Sequence, residues 1–185
     1  MTGPPSGSQT VGPFFRIGLE HLCKADGLAS LAGADVVTVR GRVIDGEGNE
    51  VSDALLEVWH AGPDGAYGAD RPDERGRATC FTRTATGDQG EFEFSIRRPG
   101  SIACNSGPAQ APHAAVLVFM RGLLRHLLTR VYFPDEPANA SDPLLQLVPA
   151  ERRATLIARA VAGEPGCAEW NVVLQGANET VFFAW

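Results

Sequence analysis

In Glu91-Phe-Glu-Phe-Ser-Ile-Arg97, the residues Phe92, Phe94 and Ile96 alternate strictly with polar ones. A period of two fits an extended chain with one face buried and the other wet. It does not fit a helix, whose faces recur about every 3.6 residues. A lone strand of this kind needs partners, because its amide groups and its apolar face both require cover. Neighbouring segments supply them. Residues 36–44 are rich in β-branched side chains, Asp45-Gly-Glu-Gly-Asn49 reads as a turn, and residues 54–60 read as the returning strand. A long polar loop over 61–77 leads to a further strand at 79–84. Residues 114–119 and 127–133 read as two more strands joined by a short turn near Arg121-Gly122, and residues 169–174 and 180–183 as the last two. Residues 149–162 are the one good helix candidate, with Ala154, Ile157, Ala158 and Val161 at helical spacing and Gly163 as a stop. The expectation is an all-β fold, a β-sandwich of mostly antiparallel strands with one or two peripheral helices.

A chain of 185 residues suits a single domain spanning 1–185. A domain near this size buries roughly 70% of its unfolded surface. Residues 1–33 read as an N-terminal arm or helical segment, Gly, Pro and Ser rich up to Thr10. A formal charge of −6 argues against nucleic acid or an anionic membrane as a partner. Cys23, Cys80, Cys104 and Cys167 are widely spaced and form no C-x-x-C pair, so no zinc or redox motif is indicated. With no apolar leader and no run long enough to span a bilayer, the expected setting is the cytoplasm. The terminal Val181-Phe-Phe-Ala-Trp185 is unusually apolar for a tail. It is either a last core strand or a surface buried against another chain.

The chemistry turns on the segment after Ala111-Pro-His113. Residues two apart on a strand share a face, so a His-x-His pair can grip one metal ion. Here His113 is followed at that spacing by Ala115, which has no lone pair. Read alone, His113 is a strand-edge histidine, Gly12-Pro13 a turn and Arg130 half of a surface ion pair. His21, His60 and His126 share no spacing that would suggest a metal.

Ser8-Gln-Thr-Val-Gly-Pro-Phe-Phe15, Leu56-Glu-Val-Trp59, Gly65-Ala-Tyr67, Ala111-Pro-His113, Thr129-Arg-Val-Tyr-Phe133 and Glu179-Thr-Val-Phe-Phe183 occur in that order. Together they resemble the intradiol catechol dioxygenases, and within them the chain of two-chain members that lacks the catalytic iron. The likeness runs from Ser8 to Phe183. It implies a mononuclear ferric ion held by two tyrosines and two histidines, and phenolate and imidazole are donors that suit iron. Tyr67, eight residues after Trp59, matches the first tyrosine, and His113, nineteen residues before Tyr132, matches the first histidine. Ala115 replaces the second histidine. The second tyrosine belongs just after Arg98-Pro-Gly, where this chain has Gly100, Ser101 and Ile102, and Tyr132 matches no ligand.

Tyr67 and His113 are therefore read as vestigial, and the resemblance implies no catalytic residue and no metal on this chain. It places Fe(III) on a homologous β chain in a hetero-oligomer that cleaves protocatechuate with O2 to 3-carboxy-cis,cis-muconate. Thr10, Gly12 and Pro13 would wall that substrate channel and Arg130 would add positive charge beside it. Phe14 departs from the tyrosine of related chains, and Ala115 from the asparagine that some carry. Two other readings stay open. One is a self-sufficient intradiol dioxygenase with replacement ligands from Asp64, Asp70 or His60. The other is a non-enzymatic transthyretin-like module, suggested by Val39-Arg-Gly-Arg-Val-Ile-Asp-Gly-Glu-Gly48 followed by Val51-Ser-Asp-Ala-Leu-Leu-Glu-Val58.

Overall fold

Alternation decides which way each strand faces. In β4 (Glu91–Arg97), Phe92, Phe94 and Ile96 are buried while Glu91 and Glu93 stand in solvent. The same parity holds in β1 (Val36–Ile44), β2 (Leu55–His60) and β5 (His113–Phe119). The computed structural model describes residues 7–23, 35–67, 80–104 and 107–184. The remaining strands are β3 (Phe81–Ala85), β6 (Leu127–Tyr132), β7 (Arg159–Ala160), β8 (Cys167–Glu169) and β9 (Val172–Val173).

Two sheets form, one in the order β4-β1-β8-β7 with β9 added beside β1, the other in the order β3-β2-β5-β6. All pairings are antiparallel except those of β1 with β8 and β9. Val37, Val39 and Val43 of the first sheet meet Leu56, Val58, Val116, Val118 and Val131 of the second, with Phe92, Phe94 and Trp170 closing the layer. This is a β-sandwich of mostly antiparallel strands. Each such side chain contributes roughly 1.5–3 kcal/mol on burial, so the shared layer holds the sheets together.

Helical structure is short and peripheral. Helix α1 (Pro13–Leu19) starts at Gly12, with Pro13 in the first turn where a missing N–H costs nothing. Phe15 lies with its ring 5.3 Å from that of Phe119, and Arg16 Nη2 donates to the Thr86 carbonyl at 2.8 Å. Helix α2 (Pro143–Leu147) is capped by the Asp142 carboxylate, which accepts from the N–H groups of Leu144 and Leu145.

The helix expected over 149–162 does not form. Residues Ala150–Leu156 wind into a 3-10 turn, Ile157 is extended, and β7 follows at Arg159–Ala160. Ile157 bridges to Tyr132, and the Ala158 N–H donates to the Tyr132 carbonyl at 2.9 Å. The β6 edge needed a partner, and β-branched Thr155 and Ile157 fit an extended chain better than a helix. The strand expected over 169–174 is split into β8 and β9, because Trp170-Asn171 crosses over Gly41. A Cβ at Gly41 would lie 1.7 Å from the Trp170 carbonyl oxygen.

Residues 180–183 join no ladder but are pinned, Thr180 N–H to the Val173 carbonyl and Phe183 N–H to the Leu128 carbonyl, both at 2.8 Å. Phe182 packs on the main core, and Val181 and Phe183 on a second cluster with Leu145, Val148 and Leu156. Val181, Phe182 and Phe183 of the apolar tail are thus packed against core within this chain, and Trp185 lies outside the described residues. The link between β5 and β6 spans 120–126, the interval left between the expected strands, with Gly122 at φ +89°.

Candidate functional site

The outer face of the second sheet carries the residues singled out by sequence. Register sets Trp59 opposite Ala115 and Ala115 opposite Arg130, with His113 and Tyr132 paired one row further along. Because parity is two, all five side chains leave the same face. Phe81 of β3 pairs with Trp59, their rings 4.4 Å apart.

His113 is buried, and its Nδ1 is hydrogen-bonded to the Ala111 carbonyl at 2.7 Å. With Nδ1 as donor, Nε2 is left as a bare acceptor. It is buried and has no hydrogen-bond partner among the described residues. Burial, then the Arg130 guanidinium, hold its pKa down to about 4, so the ring is neutral at pH 7. Arg130 Nη1 donates to Gln110 Oε1 at 2.7 Å and makes a long 3.5 Å contact with Tyr132 Oη. Tyr132 Oη donates to Asp142 Oδ1 at 3.1 Å. Burial pushes the Tyr132 phenol up, against the pull of Arg130, so it stays protonated and serves as a donor. Asp142 is fully buried and also accepts from the Ala111 N–H at 2.8 Å, so one carboxylate ties α2, β6 and the approach to β5 together.

Two loops frame the far side of this cluster. Gly65 has φ +77°, and a Cβ there would stand 1.9 Å from the Ser101 carbonyl oxygen. The Gly100 N–H donates to the Gly62 carbonyl at 2.9 Å, and Ile102 and Gln110 exchange backbone hydrogen bonds. The loop bearing Tyr67 and the turn at 100–102 are thus locked against each other. Tyr67 is half-exposed; burial raises its pKa and the Arg130 charge opposes that rise. All four places that the resemblance assigns to iron ligands therefore come to one end of one face.

The side chains standing there do not fit a ferric ion. They offer one oriented imidazole nitrogen and one half-exposed phenol, a methyl group at Ala115, and no phenol over 100–102. Among the described residues no three of His, Cys, Asp and Glu gather as metal ligands. Among the described residues, the replacement ligands do not make up the deficit. His60 lies on the opposite parity of β2 from Trp59, buried, with Nδ1 tied to the Ala61 carbonyl at 2.8 Å. The Asp64 carboxylate caps its own turn by accepting from the Ala66 N–H at 3.1 Å. Asp70 lies outside the described residues.

The other predicted contacts lie elsewhere. Thr10 Oγ1 accepts from the Gly122 N–H at 2.8 Å, and Gly12 and Pro13 start α1, exposed. That is the Phe119 end of β5, about 20 Å from His113 at strand rise. A mostly apolar cavity of about 450 Å³ opens there between Gln9 and Val11 of the arm and Phe119, Leu123 and Leu124. Within one chain, Thr10, Gly12 and Pro13 are together, and Arg130 is not with them. Sequence reasoning missed Asp142 and Gln110. Asp142 had a signal, since an Asp immediately before Pro143 is a helix-start pattern; Gln110 had none.

The family model described as a dioxygenase matches residues 21–176. The chain is 44% identical to the protocatechuate 3,4-dioxygenase alpha chain of Burkholderia cepacia, over 95% of each protein. It is 32% identical to the beta chain from the same organism, over 78% of this chain and 66% of that one. A solved dioxygenase domain from Streptomyces sp. SirexAA-E superposes with a TM-score of 0.57 at 29% identity, covering 77% of this chain and 80% of that one. The transthyretin-like reading gives way to these matches. The chain belongs to the dioxygenase family, on its intradiol ring-cleaving branch.

Proposed function

We propose that this chain is the α subunit of a protocatechuate-cleaving intradiol dioxygenase, that a β chain carries the ferric iron, and that this chain performs no chemical step itself. The observation that carries the reading is the row Trp59–Ala115–Arg130, in which a methyl group and a guanidinium stand where a metal would need a second imidazole. Near-full-length likeness to an alpha chain, and partial likeness to a beta chain, support the division of labour.

The contribution of this chain is shape, charge and exclusion of water. Thr10, Gly12 and Pro13 offer an exposed, conformationally fixed edge that can wall a partner's substrate channel. Arg130 offers a cation that favours an aromatic carboxylate in a protein whose net charge is −6. Arg130 is in register with Ala115, four residues or about 13 Å of strand rise from the Phe119 end that meets the arm, so the two contributions are separable by mutation. No described helix is long and apolar enough to cross a membrane. No disulfide joins Cys23, Cys80, Cys104 and Cys167, which supports a reducing, cytoplasmic setting.

Co-expression with the β chain tests the reading. The complex should cleave protocatechuate, with iron retained by β after the subunits are separated. Arg130→Ala should raise KM for protocatechuate several-fold and leave bound iron unchanged. Stoichiometric iron and ring cleavage in the lone chain would overturn it.

A further inference from the structure

The degenerate site already contains a cation. Arg130 and Ala115 are register partners on β6 and β5, so their Cβ atoms are about 5 Å apart and both side chains leave the same face. The guanidinium is held there by Gln110 Oε1 at 2.7 Å, with Tyr132 Oη at 3.5 Å. Among the described residues, carboxylates pair with Arg40, Arg42, Arg83, Arg98 and Arg121, and none pairs with Arg130. His113 pairs with Tyr132 one row along, and Arg130 contacts that Tyr132 hydroxyl, so the guanidinium stands beside the imidazole's row. His113 has the arrangement of a metal-binding imidazole: Nδ1 tied to a backbone carbonyl, Nε2 bare, buried and without a hydrogen-bond partner among the described residues.

We propose that the Arg130 guanidinium takes the place of a metal ion at this site, a tethered cation at the centre shared by His113 and Tyr67. The site therefore rejects metals by charge as well as by want of ligands. This concerns the chain's own side chains and holds whether or not a partner carries iron. It also says what reversal would take. Restoring a His-x-His pair on β5 is not enough while Arg130 remains. Coulomb repulsion between a dication and a guanidinium held even on the order of 5 Å apart, at an effective dielectric near 20, costs several powers of ten in affinity.

The test uses the full chain and Co²⁺ alone, followed by d–d absorption and by calorimetry. Ala115→His should bind Co²⁺ at least a hundredfold more weakly than Ala115→His with Arg130→Met. Ala115→His with Arg130→Lys, which keeps the charge, should stay as weak as Ala115→His. Near-UV circular dichroism checks the fold of each variant, and Arg130→Gln replaces Arg130→Met if methionine disturbs the sheet. A gap of less than tenfold between the charged and neutral variants, including no binding by either, overturns the proposal. So does tight binding by the lysine variant, which would make shape the barrier.

Discussion

Asp142 gathers four hydrogen bonds on one buried carboxylate, from the N–H groups of Ala111, Leu144 and Leu145 and from Tyr132 Oη. Asp142→Asn replaces one acceptor oxygen with a donor that faces other donors. It should cost about 2–3 kcal/mol, read as a shift in urea midpoint at unchanged slope. His113 makes a second prediction. Burial, then Arg130, depress its pKa to about 4 from an ordinary 6.5. The unfolded chain therefore takes up the proton first, and stability present above pH 6.5 is lost as the pH falls toward 4. Between pH 7 and 5 that amounts to roughly 2 kcal/mol. His60, also pushed down by burial, adds in the same direction. Urea midpoints at the two pH values should fall in the native chain, and His113→Phe should remove at least half of the fall. At this scale the sequence showed that His113 lacks its companion at Ala115, since parity two is local. It could not show that Arg130 faces the gap, because the β5–β6 register depends on the length of the 120–126 link.

Elements with strict alternation were legible, and elements shaped by a crossing chain were not. β4 follows from its period-two pattern, β1 from its β-branched residues, and β2 and β5 from apolar runs, with turn residues such as Asp45-Gly and Gly90 between them. The segment after Pro149 carries a helical pattern, yet it serves the edge of β6, and tertiary pairing outweighs a propensity worth tenths of a kcal/mol per residue. The break between β8 and β9 was hidden for a similar reason. Gly41 matters through what passes over it, and no pattern near residue 41 names Trp170. Gly65 is the element-scale lever on the site, since its turn locks the Tyr67 loop to the 100–102 turn. Gly65→Ala must hold a side chain at φ +77° and drive Cβ into the Ser101 carbonyl. A loss of roughly 2 kcal/mol or more is expected. Hydrogen exchange should localise the loosening to residues 62–67 and 100–102, with β1 and β4 protected as before.

At the scale of the whole molecule, α1 presents an apolar surface without cover among the described residues. Helix α1 has no buried residue; Phe14 is 80% exposed and Ile17 56%, with Leu22 beyond them at 53%. Phe14 and Ile17, three apart, share a side of the helix. A seven-residue helix is marginal alone, and α1 is held chiefly by the Phe15–Phe119 contact and the Arg16–Thr86 hydrogen bond. Those anchors turn its other side outward, next to the exposed Thr10, Gly12 and Pro13. Scattered apolar residues are ordinary on a surface, but an aromatic and a branched residue on one helix side beside a shaped edge suit a subunit contact. Phe14→Asp with Ile17→Asp should therefore separate folding from assembly. The lone chain should keep its thermal midpoint, because little buried area is lost, while association with the β chain weakens about thirtyfold, or ~2 kcal/mol. Sedimentation of the co-expressed complex measures the second effect and thermal unfolding the first. Undiminished association would remove α1 from the interface and, with it, the argument that the neighbouring arm walls the partner's channel.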